Sequence, residues 1–246
     1  PAAEKWAGEG GGLGARHCVA IALFEIGKFE QAATQLETIA RDVAPERPGL
    51  RAEVYIQAGQ AWMEANHAED AARVQSQALG VKPNDPDLWI DRGLSYAAIR
   101  AWPRAISDFD KALELRPKDV ETLVLRAASW RNAGEPGKAM ADAEYALRIA
   151  PDHSEGLLER GFAFLVLGDR AAASADFSKV LSLVPAGSEA ARRAGERIGE
   201  VVRAEHDHRP ELAEHGAQAI FRVNGRHRPR ALKRGGGGLN YCFAVD

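Results

Sequence analysis

Three arginines, Arg92, Arg126 and Arg160, recur at intervals of 34 residues, and each is followed 16 residues later by an aspartate: Asp108, Asp142 and Asp176. A guanidinium presents a planar fork of donors that a carboxylate accepts in parallel, so the chemistry this pattern offers is ion pairing. Its expected use is structural. The chain carries no G-x-x-x-x-G-K-[ST] phosphate loop, no G-x-S-x-G elbow and no H-E-x-x-H pair, and its glycine runs at 8–14 and 234–238 lack a strand-to-helix setting. His206, His208 and His215 gather among acids, but Pro210 interrupts them, so the segment reads as a polar linker rather than a metal site. His17, His67 and His153 stand singly, Cys18 reads as a small buried residue, and the pair Cys18 and Cys242 makes no metal-binding or disulfide framework. No catalytic residue, metal or cofactor is expected.

The elements that must position these pairs follow from the same 34-residue period. It aligns WIDRGLSY (89–96) with LVLRAASW (123–130) and LLERGFAF (157–164), and DFDKALELRP (108–117) with DAEYALRIAP (142–151) and DFSKVLSLVP (176–185). Five units result, 13–46, 52–85, 86–119, 120–153 and 154–187, with 47–51 as an insertion after the first. At 100° per residue, positions 4, 7, 8 and 11 of each unit share one side of a first helix. Position 8 is always small (Ala20, Gly59, Gly93, Ala127, Gly161), as is position 20 on a second helix (Ala32, Ala71, Ala105, Ala139, Ala173), so the two helices can approach closely. Position 15 holds Gly27, Asn66, Gly134 and Gly168, suited to a left-handed turn; Arg100 departs from that rule. Pro83, Pro117, Pro151 and Pro185 stop the second helices, and Asp85 and Asp119 can cap the next ones. Residues 188–205 repeat the small and apolar spacing with a charged opposite face, as a capping helix would.

In unit 86–119, Trp89, Gly93, Tyr96, Ala105, Phe109, Ala112 and Pro117 fall on the signature positions of the tetratricopeptide repeat, which the stretch 13–187 resembles. Arg16, Ala44 and Gln75 depart from the signature. The resemblance implies an all-α superhelix of antiparallel helix hairpins, one elongated domain with a C-terminal capping helix, and a concave groove lined by the first helices. The alanine-, glycine- and arginine-rich composition is similar to that of bacterial members.

Groove positions lie opposite the packing side. They are Glu53, Ile56, Gln57 and Gln60 in the second unit, and Asp87, Ile90, Asp91 and Leu94 in the third. The fourth adds Glu121, Val124 and Leu125, and the fifth Glu155, Leu158, Glu159 and Phe162. This is an apolar stripe edged by acids, suited to a basic or amphipathic peptide and unsuited to the acidic tails that some family members bind. Two plainer readings stand beside it. Acids at position 2 suit the positive end of the helix dipole, and aliphatics at position 5 can pack on the adjacent repeat. Asp91 and Glu159, a turn further in, escape the first.

The net charge of −3 divides into about −8 for residues 1–215 and +5 for 216–246, where Arg222, Arg226, Arg228, Arg230, Lys233 and Arg234 face one acid, Asp246. The function expected is a non-catalytic protein-interaction scaffold. The alternative is nucleic-acid association through the basic tail, 222–234, and the tail could also compete for the acidic groove. The longest apolar run, Cys18 to Phe24, is too short to span a membrane. A start at Pro1 reads as a mature form or a fragment, with 1–12 the remnant of a preceding helix, which leaves cytoplasm and periplasm both open.

Overall fold

The computed structural model describes residues 12–207, with side chains to 201. The described residues form eleven α-helices and no strand. They divide into two compact units, one ending at Ile99 and the other beginning at Arg100.

The first unit holds α1 (Gly12–Glu25), α2 (Phe29–Asp42), α3 (Pro48–Glu64), α4 (Ala68–Val81) and α5 (Pro86–Ala98). Its core joins Ala20, Ala32, Leu36 and Ile39 to Val54, Ala58, Trp62 and Val74. The insertion seen in the sequence is mostly helical, since α3 begins at Pro48 and runs to 17 residues. Proline is tolerated in a first helical turn, where its missing N–H has no partner to lose. Glu37 on α2 ties the first two hairpins together. It accepts from Trp62 Nε1 (2.5 Å) and from Arg73 Nη1 and Nη2 (3.0 and 2.7 Å).

The second unit holds α6 (Trp102–Leu115), α7 (Val120–Asn132), α8 (Pro136–Ile149), α9 (Ser154–Leu167), α10 (Arg170–Leu183) and α11 (Glu189–Asp207). Leu157, Leu158, Phe177 and Val180 form its largest core cluster, which Ala190 and Ala194 of α11 close. α11 thus takes the place a sixth first helix would take. The polar linker and basic tail beyond Asp207, the three histidines' side chains and residues 1–11 lie outside the described residues.

The backbone is left-handed at position 15 of every repeat. Gly27, Asn66, Gly134 and Gly168 have φ of 78°, 61°, 80° and 89°, and Arg100 joins them at 58°. The geometry is therefore uniform although the residue type is not. Asp85 caps α5, accepting from Asp87 N at 3.1 Å. Asp119 makes no such backbone bond and instead accepts from Thr122 Oγ1 at 2.6 Å. His153 caps α9 through Nδ1, which accepts from Gly156 N (3.1 Å), so its proton sits on Nε2 and donates to Glu121 Oε1 at 3.0 Å.

Candidate functional site: the arginine stations and the inner helix faces

Position 7 sits where a first helix meets both its own second helix and the preceding one. Arg126 donates through Nε and Nη2 to Asp142 Oδ2 and Oδ1 (2.8 and 2.7 Å), and Arg160 does the same to Asp176 (2.8 and 2.7 Å). Arg92 and Asp108 fall in different units; Asp108 is buried, and the Arg92 guanidinium lies 4.9 Å from the Trp89 ring. The sequence reading missed the third arm of the fork. Arg126 Nη1 donates to Asp110 Oδ1 (2.7 Å) and Arg92 Nη1 to Ser76 Oγ (3.0 Å), both at position 25 of the preceding repeat. Ser76, Asp110 and Glu144 recur there at the same 34-residue interval, which is the signal that would have found them.

On the inner face of the first unit, Gln57 is buried and bonded to His17, whose Nε2 donates to Gln57 Oε1 at 2.6 Å. Ile90 is fully buried, and Ile56 packs on the cluster of Ala78, Leu79 and Leu88. These three expected groove residues therefore belong to the core, because position 5 and, here, position 6 turn toward neighbouring helices. Glu53 is paired with Lys82. Asp87, Asp91, Leu94 and Gln60 are half-buried. No described residue donates a side-chain hydrogen bond or ion pair to the Asp91 carboxylate. Burial and the nearby Asp87 and Asp85 push its carboxyl up to about 7. Gln60 Oε1 is likewise buried without a hydrogen-bond partner.

The second unit treats the same register differently. Val124 and Leu125 are buried, as is Leu158, again removing aliphatics from the exposed surface. Glu159, only 2% exposed, receives Arg131 Nε at 2.8 Å from the previous repeat and Arg193 Nη2 at 3.3 Å from α11. Arg193 Nη1 also donates to Glu155 Oε2 at 2.8 Å, while burial pushes the Glu155 carboxyl up. Phe162 lies under three guanidiniums, those of Arg131, Arg193 and Arg197, at 4.9, 5.3 and 5.7 Å from its ring centre. Acids at position 2 are thus satisfied within the chain: Glu121 by His153 and Glu155 by Arg193. Among the described residues no group of three or more His, Cys, Asp or Glu is placed to hold a metal, and no helix is long and apolar enough to cross a membrane.

Helix hairpins at a 34-residue period, small residues where their helices cross and a left-handed turn in each define an all-α helix-hairpin repeat protein. The family model of the tetratricopeptide repeat matches residues 58–129. The described residues thus have the helix-hairpin repeat fold of tetratricopeptide-repeat proteins. No curated protein matches its sequence. Among solved structures it is similar to MamA (16% identity over 81% of this chain and 96% of that one, TM-score 0.59). It is also similar to MamA of Desulfovibrio magneticus RS-1 (20%, 68% and 92%, TM-score 0.60). A third likeness is to YrrB, a TPR protein with an unusual peptide-binding site (18%, 74% and 91%, TM-score 0.58). At these identities the likeness is one of fold.

Proposed function

We propose that the chain is a non-catalytic scaffold for protein–protein interaction that holds a basic or amphipathic peptide, or a partner's helix, on the inner faces of its first helices. The observation that carries this reading is Asp91, a half-buried carboxylate on α5 to which no described residue supplies a cation. Half-buried Leu94, one turn along α5, offers apolar contact beside it. Desolvating an acid without a partner costs stability, and a bound cation recovers that cost. YrrB, which shares the fold, supports a peptide as the class of ligand.

The test is fluorescence anisotropy with the full chain and two labelled amphipathic helical peptides, one of arginine and leucine and one of glutamate and leucine. The arginine peptide is expected to bind at least about tenfold more tightly at about 0.1 M salt. Equal affinities, or no binding by either, would overturn the reading.

A further inference from the structure

The five repeats place an acid at position 6 twice, as Asp91 and as Glu159, and the two acids are served in opposite ways. Glu159 takes one guanidinium from position 12 of the preceding repeat, Arg131, and one from position 6 of the following helix, Arg193. By register the residue of the preceding repeat that corresponds to Arg131 is, for Asp91, Met63, which carries no charge. Met63 instead accepts from Ser95 Oγ through its sulfur at 3.1 Å. The chain therefore demonstrates, on its own α9, what chemistry a position-6 acid takes, and withholds that chemistry on α5.

A second observation on the same face points the same way. Gln60 occupies on α3 the register position that Phe162 occupies on α9, the ring against which Arg193 lies at 5.3 Å. Its Oε1 is buried and unbonded. A carboxylate and an amide oxygen are both acceptors, so what they lack is a donor with several N–H groups. A guanidinium meets that need better than an ammonium, because its fork can address a carboxylate and a neighbouring oxygen at once.

We infer that Asp91 and Gln60 form a receptor for an arginine side chain of the bound partner, the place that Arg131 and Arg193 fill internally at Glu159. This rests on the reading of the inner face as a peptide surface and adds to it a specific anchor. Partner segments recognised by the first unit carry an arginine with apolar residues beside it, and replacing that arginine by lysine weakens the contact.

The experiment uses the full chain and the arginine–leucine peptide, with each arginine replaced in turn by citrulline, which keeps the shape and removes the charge. For one arginine the replacement is expected to cost about tenfold in affinity with Asp91 present and nothing with Asp91→Asn. A second variant, Met63→Arg, supplies a guanidinium from within and is expected to lower the peptide's affinity about tenfold, whereas Glu159→Gln, at a site already satisfied, leaves the citrulline penalty in place. Failure of the parent peptide to bind the unaltered chain would overturn the groove reading and this inference with it. Binding in which every citrulline penalty is the same for the unaltered chain and for the Asp91→Asn variant would leave the groove standing and overturn the anchor alone.

Discussion

Phe177 presses its ring onto the backbone of Gly161: a Cβ at Gly161 would lie 2.6 Å from Phe177 Cε1 and 2.9 Å from Cζ. Phe177 is fully buried, so the ring has nowhere to retreat. Gly161→Ala is therefore expected to destabilise the chain by about 2 kcal/mol despite alanine's better helix propensity. Urea denaturation checks it. Gly59→Ala should cost less, since the nearest atom there, Gln75 Cγ at 2.9 Å, belongs to a flexible side chain.

Asp142 and Asp110 share one guanidinium but not one environment. The side chain of Asp142 is 11% exposed and that of Asp110 45%. Asp142→Ala removes two of the three bonds to a half-buried Arg126 and should cost about 3 kcal/mol, whereas Asp110→Ala should cost at most about 1 kcal/mol. Comparing their thermal unfolding with that of the double variant would show whether the two losses add.

Arg100 adopts a left-handed backbone conformation that a Cβ disfavours. Arg100→Gly is expected to raise stability by about 1 kcal/mol, measured by denaturant titration. A loss would show that the arginine side chain contributes more than its backbone costs.

Half-buried Asp91 and buried His17 make stability depend on pH in opposite senses. Asp91 has its carboxyl raised from 3.8 to about 7, so between those values the folded chain binds the extra proton. Its contribution therefore grows more favourable as pH falls from about 7 toward 4. His17 has its pKa lowered by burial, opposed by the bond to Gln57; the unfolded chain binds the extra proton below 6.5, and acid destabilises. The stability advantage of Asp91→Asn over the parent should be largest above pH 7 and vanish near pH 4. A His17→Gln variant should lose part of the acid sensitivity in the parent's melting curve.

The helices and their turns were legible in the sequence because they depend on short-range rules: small residues at positions 8 and 20, proline after each second helix, a turn-former at 15. Arg100 shares the left-handed backbone of the other position-15 residues although its residue type does not predict it. Arg126 and Asp142 were legible as a pair because they appear and disappear together among the repeats. Asp110 was harder to find: its counterparts Ser76 and Glu144 recur at the same interval, but their different chemistries mask the shared role. The inner face was legible only in part. Alternation around a helix separates inside from outside for an isolated hairpin, but Val124 and Leu158 also cluster with residues of a neighbouring repeat, Leu113 and Leu147, and that second contact removes them from the surface. Pairing of Glu159 depends on residues 28 positions before it and 34 after it, a separation no local pattern records.

The three-armed fork of Arg126 bears on how the array comes apart. Asp142 lies on the partner helix of its own hairpin and Asp110 on the helix before, so one side chain belongs to two repeats. A repeat array can fray level by level from an end or melt in a single step, and the strength of the links between levels decides which. Peeling α6 away from α7 frees one arm of a charge whose other two arms stay bound, which penalises partial opening without preventing it. Arg126 is thus one link that couples adjacent levels of the second unit, beside their apolar contacts.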